Sequence, residues 1–436
     1  MLVTMIVQTL YFLVDLYWVG RLGTTSVAAV GIAGNLSFVV LALTQMLGVG
    51  TTTVVSHAAG RKDRDQALLM FNQSQVLATL VGVLALIIGL MLRNRYAQVQ
   101  SADAETAALA SQYLLWFIPA LSLQFLMVAM GSALRGIGNF KPGMVVSTAS
   151  VIINMVLAPI LIFGWGTGRP LGVAGAAVAT LISVVVAIVW FTTYFFRTDS
   201  FLRFMVVDWK PRFELWKRML NIGLPAGFEF ALMALYMFIV YSITRPFGAA
   251  AQAGFGIGMR IVQAGFMPVV ALGFSVAPVA GQNFGARLAQ RVKETFRSAA
   301  LMATAMMVLF AVFSHLAPHA LVAFFSNDPA AIQVGVDYLR IVSWNYVASG
   351  LIFVASSMFQ AMGNTIPSLI ASAVRITLIA IPAYLLARLP SFHLHWIWYL
   401  SVAAVIVQLT ISMLLLRREF GRKLSFGDTG LSTRAA

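Results

Sequence analysis

Residues 138–142 read GNFKP, and residues 363–367 read GNTIP. The two stretches stand 225 residues apart, and the same offset aligns other marks without a gap. Leu10-Tyr11 meets Leu235-Tyr236, Gly23 meets Gly248, and Gly31-Ile32 meets Gly256-Ile257. Gly60 meets Gly285, SAD at 101–103 meets SND at 326–328, and Tyr113-Leu114 meets Tyr338-Leu339. Most of these marks are turn residues, which apolar composition alone does not align. The chain is therefore one pattern written twice, and its fold follows from what a single copy can be.

Each copy is a train of apolar runs. The chain has 436 residues, is 60% hydrophobic and only 10% charged. A soluble domain carries about 25% charged residues, so this composition cannot cover a water-facing surface. A helix of roughly 20 apolar residues crosses a bilayer core. Runs of that kind fall at about 1–19, 28–56, 67–92, 109–134, 143–164 and 171–196 in the first copy. In the second they fall at about 220–244, 253–281, 296–316, 334–359, 367–387 and 394–416. The expected fold is an all-α polytopic membrane protein with twelve transmembrane helices in two six-helix repeats. Six is even, so both repeats enter the membrane from the same side and are parallel. Parallel repeats are a transporter architecture. The expected organisation is an N-lobe over 1–196, a linker over 197–219, a C-lobe over 220–416 and a tail over 417–436.

Charge sets the orientation. Of the 29 Lys and Arg, 20 fall after even-numbered runs and 6 after odd-numbered ones. The bias places the even loops, the linker and both termini in the cytoplasm. It also gives the formal net charge of +15 a membrane origin, and no nucleic-acid partner is expected. Cysteine is absent, which excludes disulfide and thiol chemistry. Met1 aligns with Ala226, so the first run lacks the turn that GLP at 223–225 supplies in the second copy. The first helix is expected to be truncated at its N-terminus.

Ionisable groups at bilayer depth are costly and are functional candidates by default. Among the 14 acids, only Asp15, in LVDLYW at 13–18, and Glu229, one turn after Pro225, lie clearly inside apolar runs. Asp15 fits either a side chain that snorkels to the interface or a desolvated carboxyl that binds and releases a proton. Gln8, seven residues earlier, shares its helix face. Glu229 fits either an interfacial carboxylate near a helix start or a second ion or substrate site. Asn154, in NMVLAPILIFG at 154–164, is a further polar group in an apolar run; it serves either helix packing or the site. The 21 Met and 31 Phe suit lipid contact, core packing or an adaptable drug-binding cavity. No H-E-x-x-H or G-x-x-x-x-G-K-[ST] motif is present. Nothing in the residues assembles an enzyme, a metal site or a cofactor site.

At these residues the sequence resembles the multidrug and toxic compound extrusion (MATE) family, closest to its DinF-like bacterial branch. The resemblance is carried by LVDLYWVGRLGTTSVAAVGIA at 13–33, LRGIGNFKP at 134–142, NMVLAPILIFG at 154–164 and LGVAGAAVATLIS at 171–183. In the second copy it is carried by GLPAGFE at 223–229, FGIGMRI at 255–261 and FQAMGNTIPS at 359–368. It implies two six-helix lobes, alternating access, and export of bulky organic cations or drugs from a bacterial inner membrane against inward H⁺ or Na⁺. It implies no cofactor, and a monomer among membrane lipid is expected. By the same resemblance Asp15 matches the coupling carboxylate of the first helix, Gln8 the polar residue before it, and Asn154 the asparagine of the fifth. Thr180 matches a threonine of the sixth.

Two departures bear on coupling. The family pattern places an aspartate four residues after the asparagine, where this chain has Ala158. Losing a charged oxygen argues for H⁺ over Na⁺, since hard cations want several. Glu229 also lies nearer its helix start than the acid of branches with a C-lobe cation site. Two rivals remain, a lipid-linked sugar flippase of the same superfamily and a major-facilitator transporter. The flippase should line its cavity with basic residues, yet only Arg260 and Arg375 lie well inside runs.

Overall fold

The computed structural model describes residue 14 and residues 17–165, 168–197, 201–389 and 392–426. Gln8, Asp15 and nearly all of the first apolar run lie outside the described residues. The regular structure of the described residues is all helical, with no strand. Eleven helical segments are long and apolar enough to cross a membrane, one for each of the remaining runs.

The first five are α1 (Thr24–Gly60), α2 (Arg64–Gln100), α3 (Ala104–Gly136), α4 (Phe140–Phe163) and α5 (Val173–Arg197). They are followed by α6 (Phe213–Thr244), α7 (Ala249–Gly285) and α8 (Ala289–Leu316). After a short α9 (Pro318–Ala323) come α10 (Pro329–Val342), α11 (Tyr346–Ala361), α12 (Ile366–Leu386) and α13 (His395–Lys423). The single run read at 334–359 is thus two helices. They are separated by a 3₁₀ turn, Ser343–Asn345. There the Ser343 hydroxyl donates to the Arg340 carbonyl at 2.8 Å, which loosens the helical ladder as serine back-bonding does.

The chain forms two compact units, Met1–Gly227 and Phe228–Ala436. Inside unit 1, α3 packs on α1, α2 and α5, α1 packs on α2, and α4 packs on α5. Inside unit 2, α11 packs on α7, α8 and α13, α7 packs on α8, and α12 packs on α13. With α10 and α11 taken as one span, the second list is the first one repeated. The cores are separate apolar clusters, one holding Phe71, Phe125, Phe191 and Phe195, the other Phe255, Phe359 and Trp398.

The repeat marks are the hardware of the turns. Asp103 and Asp328, the acids of SAD and SND, are N-caps of α3 and α10, accepting from the backbone N–H of Thr106 at 2.8 Å and of Ala330 at 3.0 Å. Each satisfies an amide that a helix start leaves without an intrahelical partner. In the GN turns, Gly138 and Gly363 sit at φ 81° and 69°, where a Cβ would be strained. The following amides close the same bond, Asn139 to the Leu134 carbonyl and Asn364 to that of Phe359, at 2.9 and 3.0 Å. Both asparagine side chains then tie the turn to the last helix of their unit. Asn139 Nδ2 donates to the Tyr194 hydroxyl at 3.1 Å, and Asn364 Nδ2 to Glu419 Oε1 at 2.9 Å. Glu419, read from sequence as part of a tail, is a buried residue of α13. It is also ion-paired with Arg422 at 3.1 Å and Lys423 at 3.2 Å.

The segment before α6, expected as a polar linker, is bound to unit 1. Asn72 and Gln73, adjacent and fully buried in α2, hold it by their amides. Asn72 Oδ1 accepts from the Met205 N–H at 3.0 Å and Trp209 Nε1 at 3.1 Å, while Nδ2 donates to the Arg203 carbonyl at 3.0 Å. Gln73 Nε2 donates to the carbonyls of Asp208 and Lys210 at 2.6 and 2.7 Å, and Oε1 accepts from the Arg212 N–H at 2.9 Å. Leu202 is fully buried, and Phe204 packs on Phe71 and Phe195. The start of α6 belongs to the same unit, and a Cβ at Gly223 would collide with the backbone of Met46 in α1.

Candidate functional site

Each unit carries a buried polar cluster that includes a residue singled out by the sequence. In unit 1 it joins α4 to α5. Asn154 and Thr180 are both buried, and Asn154 Nδ2 donates to Thr180 Oγ1 at 3.0 Å. The threonine hydroxyl spends its own proton on the Ala176 carbonyl one turn back, at 3.1 Å. The amide's acceptor, Asn154 Oδ1, is buried with no hydrogen-bond partner among the described residues. One turn on, the position of the expected aspartate is occupied by the buried methyl of Ala158. The helices are pinned again one turn earlier, where Ser150 Oγ donates to the Ser183 carbonyl at 2.9 Å.

The structure therefore brings Asn154 and Thr180 together and leaves one acceptor open beside them. A buried carbonyl oxygen without a partner is costly, and such a group calls for a donor or a cation. The sequence expected Asp15 and Gln8 in this cluster; both lie outside the described residues.

In unit 2 the cluster is built around Glu229 of α6. Ser368 and Ser372 stand one turn apart on α12, and Arg375 continues the same face. Ser368 Oγ lies 3.0 Å from both carboxylate oxygens of Glu229. Ser372 Oγ donates to Oε1 at 3.0 Å, and Ser356 Oγ, from α11, reaches Oε2 at 3.4 Å. The chain of bonds continues outward. Gln408 Nε2 of α13 donates to Ser372 Oγ at 3.1 Å, and Gln408 Oε1 accepts from Arg375 Nη1 at 3.3 Å. The Arg375 guanidinium lies over the Tyr236 ring, 5.2 Å from its centroid. Carboxylate and guanidinium are thus coupled through a hydroxyl and an amide rather than by direct contact. The acid keeps its donors, and the opposite charge stays within one bridge of it.

Glu229 is therefore not the isolated interfacial carboxylate that its place in the helix allowed. Sequence reading missed Ser356, Ser368, Ser372 and Gln408, and it counted Arg375 only as a charge inside a run. A signal was available in the repeat. At the 225-residue offset, Ser356 and Ser368 stand where the first copy has Gly131 and Gly143, and Arg375 and Gln408 where it has Ser150 and Ser183. Polarity has entered one copy at positions that are glycine or small in the other.

The comparisons with known proteins agree with this duplicated architecture. The MatE family model matches residues 1–160 and again residues 225–385. The chain belongs to the MatE family. Among its relatives, the multidrug export protein MepA of Staphylococcus haemolyticus is 28% identical over 368 residues, covering 84% of this chain and 80% of the relative. MepA of Staphylococcus aureus is 26% identical over 365 residues, with the same coverage. Among solved structures, one described as the outward-facing conformation of a multidrug resistance MATE family transporter superimposes with a TM-score of 0.89. It is 26% identical, and the match covers 98% of this chain and 95% of that one. A transporter of the MOP superfamily from Pyrococcus furiosus also gives a TM-score of 0.89 at 26% identity, covering 98% and 94%. This MatE chain is a polytopic membrane transporter by family, and not an enzyme.

Proposed function

We propose that this MatE chain exports bulky organic cations and drugs from the cytoplasm across a bacterial inner membrane, driven by inward proton flow. The family match across both copies and the export proteins among its relatives support the transport reading. For the coupling ion, the observation that carries the argument is the open acceptor Asn154 Oδ1 beside the buried methyl of Ala158. A protonated carboxyl is a donor and satisfies one neutral acceptor. A sodium ion needs several oxygens, charged ones above all, and here a methyl group replaces the second carboxylate.

In the proposed cycle Asp15, with Gln8, faces a wet cavity of the outward-open N-lobe as a carboxylate and holds the cationic substrate. Protonation from outside cancels its charge and makes it a donor toward Asn154, whose amide is already held by Thr180. The substrate then leaves, the lobes re-orient, and the proton departs to the cytoplasm. Protonation must favour one conformation over the other, since equal affinity for both would shift nothing. Glu229 and its serines form a second site in the C-lobe. Hydroxyls donate to a carboxylate and accept from a carboxylic acid, so that cradle satisfies either protonation state. Resident metal and cofactor have no part in this scheme, and the protein works as a monomer with both termini in the cytoplasm.

The test is substrate efflux in everted vesicles under an imposed pH gradient, with and without Na⁺, for the wild type, Asp15→Asn and Glu229→Gln at equal membrane insertion. Efflux driven by the pH gradient alone and lost in Asp15→Asn is the expected result. Full transport by Asp15→Asn, or a strict need for Na⁺, overturns the reading.

A further inference from the structure

Away from the Glu229 cluster, unit 2 holds a cavity of about 440 Å³ between α7 and α8. The two helices are consecutive and antiparallel, so the cavity has a turn end and a deep end. Toward the deep end the lining is mainly apolar, with Leu272 and Val276 on α7 and Met302 on α8, while Ser275 between them spends its hydroxyl proton on the Ala271 carbonyl at 3.1 Å. At the turn end they are polar, with Asn283 facing Arg291, Glu294 and Thr295. The apolar run of α8 begins at about residue 296, so Arg291 and Glu294 sit just past the hydrocarbon boundary, at headgroup level.

Arg291 and Glu294 are one turn apart on one helix face, yet they do not pair with each other. Ion pairs among the described residues are His395–Asp337, Arg422–Glu419 and Lys423–Glu419. The Glu294 carboxylate accepts from Gln290 at 3.1 Å. Both charged groups are exposed and free to meet a ligand carrying the two opposite charges side by side.

We propose that this cavity binds an aminophospholipid of the phosphatidylethanolamine type, with its phosphate on Arg291, its ammonium on Glu294, and the start of an acyl chain along Leu272, Val276 and Met302. The charges select the ligand. An anionic headgroup would satisfy Arg291 and be repelled by Glu294. A drug-like organic cation would satisfy Glu294 and be repelled by Arg291. A zwitterion satisfies both, and a primary ammonium, unlike the quaternary one of phosphatidylcholine, can also donate N–H to the Glu294 carboxylate, with Asn283 and Thr295 supplying polar groups at the same level. The phosphate gains a planar, forked donor, and the ammonium gains a carboxylate with a free oxygen. The apolar depth accounts for a chain, which a soluble zwitterion lacks. This inference does not depend on the coupling ion or on the drug transported.

Native mass spectrometry of the full chain, purified from vesicles of equal parts phosphatidylethanolamine, phosphatidylcholine and phosphatidylglycerol, tests it. The expected result is preferential retention of phosphatidylethanolamine. Arg291→Ala and Glu294→Gln should each lower that retention by about fivefold, the weight of one interfacial charge. Arg297→Ala removes a cation of the same helix outside the cavity wall and should leave retention unchanged. All three residues are exposed near the start of α8, and the variants are compared at equal elution volume. Equal loss in Arg297→Ala would mean general surface charge and overturn the proposal. So would preferential retention of phosphatidylglycerol undiminished by Glu294→Gln, which would mean an anionic headgroup. A variant Glu294→Gln that loses binding of the probe cation tetraphenylphosphonium while keeping phosphatidylethanolamine would assign the cavity to substrate instead.

Discussion

The Ser368 hydroxyl lies 3.0 Å from both carboxylate oxygens of Glu229, 139 positions away in the chain. Its Oγ also lies 2.9 Å from Ser356 Oγ, so one small side chain sits at the centre of the unit 2 cluster. Ser368→Ala removes the donor and leaves the carboxylate dependent on Ser372 and the longer contact from Ser356. Hydrogen bonds to charged groups contribute about 1.5–3 kcal/mol. The melting temperature in detergent should fall by about 2–4 °C per kcal/mol lost. Ser368→Thr keeps the hydroxyl and should recover part of the loss. No change in Ser368→Ala would show that Glu229 is held without it.

In unit 1 the Asn154–Thr180 bond separates stability from transport. Hydrogen bonds between membrane helices contribute only about 0.6 kcal/mol on average. Thr180→Val should therefore leave thermal stability within about 1 kcal/mol of the wild type. It leaves the Asn154 amide free to turn, however, and proton-driven efflux should drop severalfold. Stability and efflux falling together would reduce the pair to helix packing.

The twin asparagines of the GN turns should differ in weight. Asn139 meets a neutral phenol, whereas Asn364 meets Glu419, a buried carboxylate already paired with Arg422 and Lys423. Neutral hydrogen bonds contribute about 0.5–1.5 kcal/mol and charged ones about 1.5–3. Asn364→Ala should therefore destabilise more than Asn139→Ala in parallel thermal scans. The reverse order would show that the Glu419 ion pairs carry the turn unaided.

Acid reaches unit 1 through the N-cap of α3. The backbone and side chain of Thr106 hold the Asp103 carboxyl below the usual carboxylate range. A lowered folded value means stability that is present above the unfolded pKa, near 4, and lost as pH falls through the folded one. Asn at this position caps a helix without titrating. Wild type and Asp103→Asn should thus converge in melting temperature below about pH 4 and differ above it. A gap independent of pH would exclude the charge as its source.

Sequence alone reached the helices because run length and turn residues are local properties. Every apolar run within the described residues is a helix or, at 334–359, a pair of helices, and the marks SAD, SND and the two GN stretches are caps or turns with their own backbone reason. The Ser343–Asn345 break was hidden because Ser343 acts on its own preceding turn, and Ser, Trp and Asn interrupt no hydropathy window. The Glu229 cradle was hidden for a different cause. Single serines in apolar helices are ordinary packing residues, and only the fold brings Ser356, Ser368 and Ser372 from 127 to 143 positions away onto one carboxylate. Asn154 was legible as a polar group out of place, and its bond to Thr180 crosses only one loop.

The polar segment before α6 offers the sharpest contrast between composition and structure. Its Arg203, Lys210 and Arg212 suggest an open, protease-accessible tether. Instead Asn72 and Gln73 satisfy backbone groups at residues 203, 205, 208, 210 and 212, and both amides are fully buried. Losing these partners removes two or three hydrogen bonds at a time, each contributing about 0.5–1.5 kcal/mol. Trypsin acts on locally opened chain, so cleavage tracks the population of the open form. The native protein should resist cleavage at Arg203 and Arg212, while Gln73→Ala should be cut there first, ahead of global unfolding. Asn72→Ala should do the same and also free the Trp209 indole, read as a red shift in its emission. Rapid cleavage of the wild type at these sites would show that the two amides do not hold the segment in solution.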